Sequence, residues 1–330
     1  MADLSTEYMG LQLRSPVIVG SCGLTGTVPR VRALEEHGAG AVVLKSIFEE
    51  EILLEHSELM DEVAARGYDV DAYEYYDQQI RGGKLAQYTR LVSECKEQVS
   101  IPIIASVNCM YSHEWTSFAQ EFETAGANAL ELNMFFMPSD LSRSCQEQEQ
   151  LYFDIAEKVK RQVSIPVALK ISYHFSNLGH SIMALSQTGI RGLVLFNRFY
   201  TPDFDIENMR VVSRNVFSSP AELGMSLRWV AMMAGRVSCD LAASTGVHDG
   251  HAIAKQLLAG AKAVQVVSAL YQNGIEHLGV MLEQLDRWMT AHSFYGIDQF
   301  QGQMSQAHSD NPSAYERVQF MRYAGTGPGD

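Results

Sequence analysis

The chain has 330 residues, 46% hydrophobic and 19% charged, enough for one large globular domain or two modest ones with an ample core. Its formal charge of −14 and pI near 5.1 exclude nucleic acid and anionic membrane surfaces as expected partners, because either polyanion would be repelled. A small molecule is the expected ligand.

At the N-terminus, MADLSTEYMG has no basic region followed by an apolar one, and no apolar run in the chain approaches the ~18 residues of a membrane span. A soluble, cytoplasmic chain is expected. Cys22, Cys95, Cys109, Cys145 and Cys239 are odd in number and scattered, without a C-x-x-C pair, so they are expected to be free thiols and no metal site is expected.

The first predicted strand is PVIVG (16–20), followed by a helix-like VPRVRALEEHG and a second strand in HGAGAVVL (37–44). The third predicted strand lies in QVSIPIIASV from Gln98, and the same opening returns 64 positions later as QVSIPVALKI from Gln162. That distance is about twice a strand–helix unit, and the intervening strand is AGANALEL (125–132). TGIRGLVL (188–195), CDLAAS (239–244) and AGAKAVQV (259–266) complete eight short strands whose near-continuous hydrophobicity implies burial on both faces, as in a parallel sheet.

Between strands run EWTSFAQEFETAG, QEQEQLYFDIAEKVKRQV and DGHAIAKQLLAG, apolar at spacings of three and four. Eight alternating units favour an α/β architecture, a closed (β/α)8 barrel of the TIM type. The barrel is expected over residues 1–290, with an insertion after strand two inside 46–97 acting as a flap. Residues 291–330 are expected to be a C-terminal extension packed on the barrel.

In such barrels the chemistry is built at the C-terminal strand ends. The residues there are Ser21, Cys22 and Gly23; Lys45 and Ser46; Ser106 and Asn108; Asn133; Lys170; Asn197; Ser244, Thr245 and Gly246; and Ser268. Lys45, Asn133, Lys170 and Asn197, ending four buried strands, point to a site, since burying an unpaired ammonium is costly. S-T-G-V-H-D-G (244–250) leads into a helix, so its backbone N–H groups could hold a phosphate beside those of Ser268.

This set resembles the FMN-dependent dihydroorotate dehydrogenase family, which includes the pyrimidine-reducing domain of dihydropyrimidine dehydrogenases, over most of residues 5–285. The resemblance implies FMN as cofactor and a homodimer; a redox partner protein is a further expected partner. It assigns flavin-edge contacts to Ser21, Cys22 and Gly23, and flavin and substrate contacts to Lys45 and Ser46. Asn133 matches the asparagine of the family's E-L-N, and Lys170 and Asn197 match its strand-five lysine and strand-six asparagine. The phosphate turns fall on Ser244 to Gly246 and on Val267 with Ser268. Lys170 is then the cation near the N1–C2 edge of the flavin, and the asparagines orient a planar, dihydropyrimidine-like substrate for hydride transfer.

Two departures stand out. The family's strand-four loop reads N-x-x-C-P-N, or has Ser for Cys, and that residue removes a substrate proton; here ELNMFFMPSD puts Phe136 at that position, read as an apolar wall over the flavin, and Pro138 at the second asparagine. A one-residue insertion would instead align Met137 and Pro138 with C-P and Ser139 with the asparagine. The family's asparagine-bearing N-x-M-G-L-P-N loop is also missing, for no asparagine occurs from Ser46 through Val107. Residues 47–77 instead carry eleven Asp or Glu and one basic residue, Arg66, among Phe48, Tyr68, Tyr73, Tyr75 and Tyr76, a solvated flap or a lid.

A proton would then have to come from His174, Tyr173 or Ser139. Two further readings use the same residues. One is a flavin-bearing electron-transfer or partner-binding subunit; the other is a flavin-free barrel in which Lys170 forms a Schiff base.

Overall fold

The computed structural model describes residues 2–48, 70–108, 114–134, 136–199, 201–214 and 216–316. A hairpin of β1 (Thr6–Tyr8) and β2 (Leu11–Leu13) precedes the barrel. The barrel strands are β3 (Val17–Val19), β4 (Ala41–Val43), β6 (Ile103–Asn108), β7 (Ala129–Asn133), β8 (Val167–Ile171), β9 (Gly192–Leu195), β12 (Asp240–Ser244) and β13 (Ala263–Val266). All eight pair in parallel, in the order β4-β3-β13-β12-β9-β8-β7-β6. The β4–β6 pairing, Val42 with Ile103 and Val43 with Ile104, closes the ring. The eight expected strands and the (β/α)8 barrel are therefore present. A two-residue strand β5 (Ile47–Phe48) extends the mouth beside β6, and an antiparallel hairpin of β10 (Thr201–Asp205) and β11 (Arg210–Arg214) follows strand six.

Helices α1 (Val28–Glu36), α2 (Val70–Gln98), α3 (Glu114–Thr124), α4 (Cys145–Gln162), α5 (Leu178–Ser186), α6 (Leu223–Met233), α7 (Gly250–Ala259), α8 (Ser268–Asn273) and α9 (His277–Ala291) accompany the strands. Among the described residues no helix is long and apolar enough to cross a membrane. One 29-residue helix, α2, fills the second half of the expected insertion. The greater part of the acidic stretch, Tyr68 and Arg66 included, lies outside the described residues. Beyond α9, Phe300 is fully buried, and Gly302 N and Met304 N donate to the carbonyls of Leu257 and Leu258 at 2.9 and 2.8 Å.

Side chains alternate across each strand. Leu130, Leu132, Val167, Leu169, Ile171 and Leu193 face outward into the core shared with the helices. Ile18, Ile104, Ala129, Ala168, Val194, Ala242 and Ala263 face the barrel axis. The alanines leave that lower layer hollow, and the β1–β2 hairpin fills it with Tyr8 and Met9, 1% and 2% exposed. Its turn uses Met9 at φ 57° and Gly10 at φ 79°, as a two-residue hairpin of the primed type requires. Met9 N donates to Asp240 Oδ2 at 2.7 Å, which helps hold a non-glycine residue in this disfavoured region.

Gly192 makes room for the plug: a Cβ there would lie 2.6 Å from the Tyr8 hydroxyl and 2.9 Å from Met9 Sδ. Gly192→Ala is expected to cost about 1–3 kcal/mol by overpacking, read as a lower urea midpoint. An unchanged midpoint would mean that the hairpin does not enter the barrel.

Candidate active site

Two residues further along five of the strands, the same inward face turns polar. Ile104 is followed by Ser106 and Asn108, Ala129 by Glu131 and Asn133, Ala168 by Lys170, Ala242 by Ser244, and Ala263 by Gln265. Above them opens a cavity of about 350 Å³, lined by Ser21, Asn108, Asn133, Lys170, Asn197 and Gln265, by Phe48 and Arg198, and by the turns at 216–218, 244–247 and 267–268.

The floor is a charged network. Lys170, 9% exposed, donates to Gln265 Oε1 at 2.8 Å. Gln265 Nε2 in turn donates to Glu131 Oε2, and Lys170 Nζ lies 3.7 Å from Glu131 Oε1. On one wall Asn197 Nδ2 donates to Asn133 Oδ1 at 2.7 Å, so these two amides face the cavity as a pair. On the other, Ser21 Oγ, Ser46 Oγ and Ser106 Oγ form a chain at 2.9 and 2.7 Å. Only Ser21 of the three reaches the cavity surface. Tyr88 OH accepts from Ser106 N at 2.8 Å, and burial raises its phenol well above the usual range.

The turns after strands seven and eight lie side by side. Thr245 and Gly246 both have φ 78°, and a Cβ on Gly246 would sit 2.2 Å from Leu223 N, so glycine is required by both conformation and space. Ser218 joins the two turns: its N–H donates to Ser268 Oγ at 2.9 Å, and its hydroxyl accepts from Gly246 N at 3.4 Å and lies 3.2 Å from His248 Nε2. Asp249 caps α7, accepting from Ala252 N at 2.7 Å. Burial holds the His248 imidazole below its ordinary range, partly offset by the Ser218 backbone and by Asp249.

Ser21, Asn108, Asn133, Lys170, Asn197, Ser244, Thr245, Gly246, Val267 and Ser268 are thus brought to one cavity, with Ser46 and Ser106 directly behind Ser21. Other expected positions are not. Cys22 turns toward Thr25 and Tyr271, and burial pushes its thiol up. Gly23 abuts the Tyr271 hydroxyl, 2.8 Å from where its Cβ would be. Lys45 is exposed at the rim. Ser139 is exposed on the strand-four loop. His174 packs its ring against Tyr173 and Phe199, with centroids at 4.6 and 5.0 Å, beside the cavity instead of in it.

Phe136 requires a correction. It is not the wall over the cavity: its ring meets Tyr152 of α4 edge-on at 5.3 Å and packs with the outer core. Met134, two residues before it, is fully buried in the same outer core.

Sequence reasoning missed Glu131, Gln265, Arg198 and Ser218. The first two were readable as the inward, period-two partners of alanines in ALEL and AVQV. Arg198, whose Nε donates to Glu222 at 2.7 Å and whose Nη1 donates to Val216 O at 3.0 Å, follows Asn197 directly. Ser218 lies in an irregular segment with no periodic signal. Among the described residues lining the cavity there is no Cys, His, Asp or Glu, and among the described residues no cluster of metal-ligating side chains occurs.

Two outcomes follow. Phe136→Ala is expected to lower stability by about 2 kcal/mol, less than for a fully buried phenylalanine, while leaving ligand affinity in the cavity unchanged; a change in affinity without loss of stability would restore the wall. Because the folded state favours neutral His248, the unfolded chain binds the proton more readily. Its contribution to stability is complete above pH ~6.5 and is lost as pH falls. His248→Gln should therefore flatten the fall in the urea midpoint between about pH 7 and pH 5; an identical slope would contradict the burial of this ring.

Residues 77–289 match the dihydroorotate dehydrogenase family. The dihydroorotate dehydrogenase B (NAD(+)) catalytic subunit of Thermoplasma volcanium is 26% identical over 92% of this chain and 98% of its own length. Its counterpart of the same name from Methanothermobacter thermautotrophicus is 25% identical over 91% and 97%. A dihydroorotate dehydrogenase A (fumarate) from Limosilactobacillus reuteri is 25% identical over 82% and 88%. With the family match covering well over half of the sequence and the barrel closed around the matched strands, this chain belongs to the dihydroorotate dehydrogenase family, flavin-dependent oxidoreductases that act on CH–CH bonds.

Proposed function

We propose that the protein binds FMN in the barrel mouth and exchanges hydride with a small, dihydropyrimidine-like substrate, with dihydroorotate itself a poor one. The observation that carries this reading is the buried Lys170 ammonium on the cavity floor, between the Asn133–Asn197 pair and the turns at 244–246 and 267–268. The cavity volume of about 350 Å³ is within the range of small-molecule sites. Its donor set also suits this cofactor. The turn backbones and Ser268 fit a phosphate, and Lys170 fits the ring edge that gains negative charge on reduction.

Bound flavin would supply the hydride chemistry. The chain's own residues would hold and orient: Lys170 places a positive charge, Asn133 and Asn197 offer amide hydrogen bonds to a planar substrate, and Arg198 adds a second cation at the rim. An adjoining cavity of about 390 Å³, walled by Tyr173, Phe196, Phe199 and Met225, shares Asn197 and Arg198 with the first, leaving room for a substrate larger than a bare pyrimidine ring.

The lysine donates to Gln265 and faces Glu131, an environment for an ammonium rather than for the free amine that a Schiff base needs. A homodimer and a redox partner protein belong to the same proposal. The β10–β11 hairpin exposes Phe204, Ile206, Met209 and Val211, an apolar face of the kind that contacts other proteins.

Purified protein is expected to show flavin absorption, and Lys170→Ala to weaken FMN retention or shift its potential. Colourless protein that takes up no added FMN while its circular dichroism is intact would overturn the reading. Flavin reduction by dihydroorotate is expected to be slow, since loss of a general base costs ~10²–10⁴ in rate; rapid, saturable reduction would show that a base is present.

A further inference from the structure

The charges beneath the cavity do not end at Lys170. Glu131, 2% exposed, projects to the barrel axis because it lies two residues after the inward Ala129. Its Oε2 accepts from Gln265 Nε2, and Gln265 Oε1 accepts from Lys170 Nζ, so one amide bridges the two opposite charges. Among the described residues Glu131 Oε1 has no hydrogen-bond partner, and neither has the Tyr8 hydroxyl of the plug below it.

An unsatisfied carboxylate oxygen in a closed barrel is costly to keep. The Gln265 carbonyl supplies the hydrogen-bond acceptor for Lys170. What the carboxylate adds is charge. At 3.7 Å from Lys170 Nζ, and with both side chains buried, it offsets part of the positive potential that the lysine would project into the cavity.

We propose that Glu131 is a positioning residue that sets the reduction potential of the site: through Gln265 and Lys170 it lowers the potential of the flavin bound above them. This rests on the reading of the cavity as a flavin site. The sign follows from charge alone. Reduction places negative charge on the ring, Lys170 favours that charge, and Glu131 opposes it, so the bound flavin is harder to reduce than with Lys170 unopposed.

The test is the midpoint potential of the flavin in Glu131→Gln, which keeps the size of the side chain and its contact with Gln265 but removes the charge. FMN should remain bound and the potential should become more positive than in the unaltered protein. An unchanged or more negative potential with FMN still bound would overturn the role of Glu131 and leave the cofactor assignment standing. Failure of the unaltered protein to bind FMN would remove both. If Glu131→Gln does not fold, Glu131→Asp draws the carboxylate back from Lys170 and must shift the potential in the positive direction; no shift overturns the proposal. A side chain that merely filled space would move neither potential.

Discussion

An ammonium group inside a protein barrel has to be balanced, and much of this site is arranged around balancing Lys170. The lysine is drawn inward because strand five alternates, with Leu169 and Ile171 committed to the outer core and Ala168 and Lys170 to the axis. Burial of that charge requires an acceptor and a counter-charge. Gln265 from strand eight and Glu131 from strand four supply them across the axis. The layer below must then be apolar and filled, which is the role of the Tyr8–Met9 plug, and the layer above is left as the open floor of a cavity.

The walls rest on separate local constraints. Gly246 lets the turn after strand seven pass against the start of α6, where any side chain would strike the Leu223 backbone. Ser218 then ties that turn to the one after strand eight through Gly246 N and Ser268 Oγ. On the opposite side the serine chain from Ser21 to Ser106 links strands one, two and three, and Tyr88 of α2 anchors it at Ser106 N. Rim loops can therefore vary in sequence while the turns and the floor keep their positions.

What could be read from the residues alone was whatever repeats. The duplicated QVSIP openings, the small residues before each apolar run and the strand spacing are periodic, and they located the barrel and its strand-end asparagines and lysine. Four kinds of feature escaped. The hairpin of TEYMGLQL is short and its turn has a methionine in a left-handed conformation, which local propensity argues against. Glu131 and Gln265 lie inside apolar runs and not at the run ends, where polar groups stand out. Phe136 was misplaced because matching a loop by position assumes its backbone path, and here Tyr152 on α4 offers the ring a closer apolar contact. Ser139, His174 and Lys45 are polar groups near strand ends that the loops carry outward, which no spacing rule could reveal.

The position of a bound flavin relative to Lys170 decides whether this cavity is the active site. A crystal structure of the protein grown with FMN measures this. The ring is predicted over the Lys170–Gln265 floor, with its phosphate against the backbone of Thr245 and Gly246 and beside Ser268. FMN bound elsewhere, or a phosphate distant from both turns, would contradict the assignment of this cavity as the active site.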